Sequence, residues 1–182
     1  VVNNAGRIQA NGLSVGPGGT VTLVAENGTT YHGGDILANG ASLGGQVDVL
    51  GREVRLDGRV EANGATGGGR IRVGGDYQGA NPELANADTL DVGGGASLLA
   101  NALVNGDGGR VILWSDGVTR YAGHTEAKGG SQGGNGGFVE VSGKQRLAFG
   151  GTVSTAAPLG RTGTLLLDPE DITIANIGGD IT

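Results

Sequence analysis

The sequence predicts an all-β fold, a right-handed parallel β-helix of about six coils with three short strands in each, and three observations lead to it. The first is composition. Glycine fills 41 of 182 positions, several times the ordinary share of about 7%, so the backbone either turns sharply and often or does not fold. The second is alternation: runs such as TVTLV (20–24), QVDVL (46–50) and RIRV (70–73) place apolar residues at every second position. Half-buried strands carry that pattern and flexible glycine linkers lack it. No stretch of ten or more residues keeps a helical apolar period, so almost no helix is expected. The third is repetition, because GRIQANG at Gly6 returns as GDILANG at Gly34 and GRVEANG at Gly58.

The repeat continues along the chain. Its first element, Gly-x-apolar-x-Ala, starts at Gly6, Gly34, Gly58, Ala96, Gly123 and Gly151, the last more loosely, at spacings of 28, 24, 38, 27 and 28 residues. A second element, Gly-x-apolar-x-apolar, follows each after 11 to 14 residues, at Gly19, Gly45, Gly69, Gly109, Gly137 and Gly163. A third run precedes most returns of the first: VRL (54–56), TRY (119–121) and LAF (147–149). A unit of three short strands cannot bury its own apolar face and must stack on copies of itself. Each coil then rises by one strand spacing, ~4.8 Å, and six coils make a rod about 30 Å long.

Stacking predicts two inward ladders. One is Ile8, Ile36, Val60, Leu98 and Val153, interrupted by Thr125; the other is Val21, Val47, Ile71, Val111, Val139 and Leu165. Tyr121 and Phe149, in equivalent positions, are expected to plug the interior. Asn11, Asn39 and Asn63 fall at corners, where Asn tolerates a left-handed backbone, and are expected to stack as a turn ladder of side-chain amides. Residues 1–182 thus read as one β-helix segment of a longer chain, with Val1 inside a repeat and no obvious cap at Thr182.

Net charge is −6, and the 12 Lys and Arg are scattered, which argues against a nucleic-acid partner. No apolar run approaches the ~20 residues of a membrane span, and no signal peptide is visible. The absence of cysteine excludes a disulfide scaffold and a Cys-rich zinc site and leaves the compartment open.

The words GGDYQG (74–79), GDGGRVILWSDGVTRYAG (106–123), GGNGGFVEVSGK (133–144) and GTLLLDPEDITI (163–174) resemble the repeat region of filamentous-haemagglutinin-like exoproteins of the two-partner secretion systems of Gram-negative bacteria. The resemblance runs in order from about Gly58 to Ile174; residues 1–57 share the period with less distinctive words. It implies the structural shaft of a large secreted or cell-surface adhesin serving attachment or biofilm formation, extracellular or anchored at the bacterial surface. It also implies export through an outer-membrane barrel transporter. The Asn-rich signature of the family's N-terminal secretion domain is missing, so the segment is similar to the region after that domain. A chain threaded unfolded through a narrow pore is not helped by early crosslinks, which suits the missing cysteines. Adhesin, cytolysin and contact-delivered toxin parents share such a shaft.

Candidate sites lie outside the repeat. The longest interval contains the excursion GGDYQGANPELANAD (74–88), and loops on a rigid scaffold often carry binding residues. Asp76, Tyr77 and Gln78 suit a sugar ring, an aromatic face flanked by hydrogen-bonding groups; the preferred alternative is that the loop packs back on the coil, anchored by Tyr77. Trp114 is either a binding platform or a cover for a corner of the core. No metal site or cofactor is expected: GGNGGF (133–138) has Phe138 where a calcium-binding β-roll has its Asp, and the resemblance implies that the clustered carboxylates of DPED (168–171) form a recurring turn after a strand. His32 and His124 lack metal-ligand spacing.

Two outward rows follow from the repeat: Arg7, Asp35, Arg59, Ser97, His124, Thr152, and Thr22, Asp48, Arg72, Ile112, Glu140, Leu166. Neither places two carboxylates on adjacent coils, and their alternating charges read as exposed mutual neutralisation, so no enzyme activity is expected. Two other functions stay open: a polysaccharide-binding or polysaccharide-cleaving β-helix, which needs a carboxylate-lined groove for cleavage, and a self-assembling filament joined end to end or laterally. Extracellular polysaccharide or a host surface receptor is the expected partner.

Overall fold

The computed structural model describes residues 1–12 and 16–174, and among them the chain is a parallel β-solenoid of six coils. After β1 (Val2–Asn4), coil 1 contains β2 (Arg7–Gln9) and β3 (Thr20–His32), and coil 2 contains β4 (Asp35–Leu37) and β5 (Gln46–Leu56). Coil 3 has β6 (Arg59–Glu61), β7 (Arg70–Val73) and β8 (Thr89–Val92); coil 4 has β9 (Ser97–Leu99), β10 (Arg110–Ser115) and β11 (Val118–Tyr121). Coil 5 has β12 (His124–Glu126), β13 (Phe138–Gly143) and β14 (Arg146–Phe149); coil 6 has β15 (Thr152–Ser154), β16 (Thr164–Leu166) and β17 (Asp171–Ile174). The first strand of each coil begins one residue after the repeated Gly or Ala.

Three short strands per coil hold from coil 3 onward. In coils 1 and 2 the second and third strands merge into the long β3 and β5, whose pairing shifts register between Ala25 and Thr29. That bulge replaces the corner seen in later coils.

Both inward ladders are in register. Ile8, Ile36, Val60, Leu98, Thr125 and Val153 pair from coil to coil, as do Val21, Val47, Ile71, Val111, Val139 and Leu165. Tyr121 and Phe149 stack inside, centroids 5.1 Å apart. The Tyr121 hydroxyl donates to the Thr152 carbonyl at 2.7 Å and lies 2.9 Å from Thr125 Oγ1. The buried threonine that breaks the ladder thus meets the one phenol in the core.

Glycine abundance has a steric cause at the start of the second strands. A Cβ on Gly68 would overlap the carbonyl oxygen of Ala100 in the next coil, and Gly44, Gly108 and Gly136 face Ala62, Ala127 and Thr155 in the same way. The coils stack backbone on backbone there, which leaves no room for a side chain.

The asparagine ladder forms, but by different bonds and with one more rung. Asn11 Oδ1 accepts the Asn39 N–H at 3.0 Å, Asn39 that of Asn63 at 2.8 Å, Asn63 that of Asn101 at 2.8 Å and Asn101 that of Lys128 at 2.8 Å. None of these asparagines has positive φ. Asparagine is needed for its carbonyl, which satisfies the next coil's backbone N–H at the corner, and the expected left-handed backbone and amide-on-amide stacking do not occur.

Candidate functional site

Beyond the repeat, the distinguishing feature is the excursion after β7, and its geometry follows from a few residues. Gly74 leaves the strand at φ +77, a conformation natural to glycine. The Ala87 N–H returns to the Gly74 carbonyl at 2.6 Å and closes the loop on itself. Between them Asp76 starts a 3-10 turn over Tyr77–Gly79. Its carboxylate accepts from the Tyr77 N–H at 2.8 Å, Arg72 Nη1 at 2.7 Å and Asn81 Nδ2 at 2.9 Å. Burial alone would raise its pKa, but the bonds from Asn81, Tyr77 and Arg72 outweigh it and hold it at about 2.

The loop lies down on the coil, over the row through Asp48, Arg72, Ile112 and Glu140. The sequence places Asp48 and Arg72 as an exposed pair; in the structure all four residues are buried. Arg72 forks onto Asp48 through Nε (2.7 Å) and Nη2 (3.0 Å) while Nη1 holds Asp76. This triad, with Asp48 and Arg72 buried and Asp76 half-buried, ties the loop to coils 2 and 3.

Further along, Gln78 takes φ 52, the one positive φ among described non-glycine residues. That turns its N–H onto both Glu140 oxygens at 3.2 Å, while its side chain donates to Asp168 at 2.8 Å. Glu140 is 0% exposed. Burial pushes its carboxyl up to about 7; the Gln78 N–H, Ser142 and more distant Arg110 oppose that, and Asp168 adds to it. The outward rows missed this proximity of two carboxylates, because Asp168 lies beyond the strand positions that define them. A carboxyl near 7 has general-acid strength, but Gln78 seals it from any substrate while the loop is down.

The candidate binding residues are brought together, and most of their polar atoms point inward. Asp76 and Gln78 are engaged as above. Tyr77 keeps 39% exposure, with its ring edge-on to Phe138 at 5.8 Å and the Arg110 guanidinium 4.8 Å from its centroid. Trp114 is 4% exposed and donates from Nε1 to Asp116 at 3.0 Å, so it covers a corner and presents no open face. Packing back is what the loop does, anchored by Asp76 and Gln78 more than by Tyr77. Asn86 holds the far side, donating to the Gly79 carbonyl and Asp116, both at 3.0 Å.

His32 is a further buried ionisable side chain. Asn4, oriented by the Gly6 N–H, donates to His32 Nδ1 at 3.1 Å, and Nε2 donates to the Arg59 carbonyl at 3.2 Å. That pattern needs a neutral ring, and burial holds its pKa below the ordinary value. Among the described residues no three His, Asp or Glu side chains gather closely enough to hold a metal ion.

No protein-family model matches the chain, and a search of curated proteins finds no match.

Proposed function

We propose that this segment is part of the structural shaft of a large secreted or cell-surface bacterial adhesin, a non-enzymatic spacer that carries attachment elements away from the cell. The observation that carries the reading is the continuous parallel strand pairing across six coils. Backbone hydrogen bonds join each coil to the next along the axis, and the two apolar ladders keep water out of the interior. Some exposed charges pair between coils: Arg7–Asp35 at 2.9 Å, Arg59–Asp35 at 3.6 Å and Arg120–Asp91 at 3.1 Å. Each such pair contributes about 0–1 kcal/mol. The resemblance to filamentous-haemagglutinin-like exoproteins supplies the route outward, through an outer-membrane barrel partner.

Antibodies raised against residues 1–182 test this in the source cells. Labelling of intact cells or culture medium that disappears when the barrel partner is deleted supports the shaft. Antigen confined to permeabilised cells refutes it, as does release of reducing ends from a polysaccharide panel by the purified segment.

A further inference from the structure

Among the described residues Arg55, Arg70, Arg110, Lys144, Arg146 and Arg161 are exposed cations without a carboxylate within 4.0 Å, and two of them sit side by side in one row. The first outward residues of the second strands form the row Thr20, Gln46, Arg70, Arg110, Phe138 and Thr164. Arg70 and Arg110 are register partners on adjacent strands. Both are exposed, and neither has a carboxylate within 4.0 Å among the described residues. Like charges directly opposite one another destabilise a sheet. Here the repulsion persists in a chain whose acids outnumber its bases by 18 to 12.

These guanidinium groups are also held in place. Arg70 Nη2 donates to Gln46 Oε1 at 2.5 Å, and Gln46 Nε2 donates to Asp48 at 2.7 Å. Arg110 lies over two rings, 4.8 Å from the Tyr77 centroid and 4.5 Å from that of Phe138. Stacking covers the face of a guanidinium and leaves its N–H edge for an anion, and a planar fork suits a carboxylate.

Both arginines open onto a groove of about 980 Å³. Arg70, Arg110, Phe138, Asp107, Asn135 and Arg161 line it, together with several glycine pairs. The groove's one carboxylate, Asp107, is engaged by the Asn135 N–H at 2.6 Å and Nδ2 at 3.2 Å. Arg161 is exposed and has no ion-pair partner among the described residues. Lining residues come from coils 1 to 6, a run of about 24 Å at one strand spacing per coil. Such a long, open, glycine-rich groove bearing arginines fits a linear polymer better than a compact ligand. Three cations in a chain of net charge −6 are too few for a nucleic-acid backbone.

We propose that this groove binds a linear polysaccharide bearing uronate carboxylates, with Arg70 and Arg110 as its paired anion contacts and Arg161 as a further one. The inference goes beyond the shaft reading, and its failure leaves the surface-display test untouched. Polygalacturonate oligosaccharides are the probe, fully methyl-esterified oligosaccharides the uncharged control and oligothymidylate the nucleic-acid control, with dissociation constants measured at low and physiological ionic strength. Arg70→Gln and the double variant Arg70→Gln/Arg110→Gln are compared with the unaltered chain, each checked for an unchanged melting temperature. Arg70→Gln keeps the test sound if loss of Arg110 loosens the loop, because the Arg70 side chain bonds only Gln46.

Binding of the free acid but not the ester, weakened about three-fold or more by Arg70→Gln and about ten-fold or more by the double variant, is expected for lost charge-assisted contacts. No binding of the acid at low ionic strength overturns the proposal. So do equal binding of the ester, unchanged binding by Arg70→Gln, and oligothymidylate binding as tight as the glycan's.

Discussion

Glu140→Gln isolates the buried carboxyl beneath the excursion. The folded pKa is raised from 4.5 to about 7, so the folded state holds its proton more tightly than the unfolded chain. Its relative stabilisation is therefore fully present below pH 4.5 and is lost as pH rises through about 7. At about 1.4 kcal/mol per pH unit the difference amounts to roughly 3 kcal/mol, an upper value because a lifted loop lets water reach the carboxylate. Glutamine keeps an oxygen for the Gln78 N–H and cannot ionise. The assay is urea unfolding of both proteins from pH 4 to pH 8.5, read as the variant's stability minus that of the unaltered chain. That difference should rise by about 3 kcal/mol across the window. His32 acts with the opposite sign, its lowered pKa removing stability as pH falls below 6.5, but it is present in both proteins and cancels. A difference that stays flat or falls with pH refutes the burial of a titrating Glu140.

Arg72→Ala leaves the buried Asp48 and the half-buried Asp76 without their shared cation. It should cost about 3–5 kcal/mol in chemical denaturation and make residues 77–86 the first site of limited proteolysis. Asn63→Ala leaves the buried Asn101 N–H unpaired and should cost about 1–3 kcal/mol, whereas Asn11→Ala at an exposed corner should cost clearly less in the same melts. Gly68→Ala forces a Cβ onto the Ala100 carbonyl and should cost about 1–3 kcal/mol or more, seen as a lower melting temperature by circular dichroism.

Much of the scaffold is legible in the sequence because the solenoid's rules are local. Side chains alternate faces along a strand, so Gly-x-apolar-x-apolar fixes which residues point inward, and repetition fixes which residues stack. The pairing of Ile8 with Ile36 and of Tyr121 with Phe149 follows from those two facts. The corner asparagines were legible as a ladder but not in their bonding, because the choice between a left-handed backbone and a side-chain acceptor depends on where the next coil's N–H falls. Arg70 and Arg110 share a repeat position, yet their missing counter-ions are visible only once every neighbouring acid has been placed.

The excursion marks the limit. Sequence alone sets its place between the second and third strands of coil 3 and its content of Asp, Tyr and Gln. It does not set where the loop rests, because no other coil carries a copy for it to match. That was decided by contacts across the fold: Gln78 with Glu140, 62 residues away, and with Asp168, 90 residues away. The packed loop turns an outward row into a buried one, covers Trp114 and, by burial, raises the Glu140 carboxyl. Periodicity determined the rod, because every coil repeats the same local arrangement. Tertiary packing decided the surface, because a side chain's charge and exposure depend on all that comes to lie beside it.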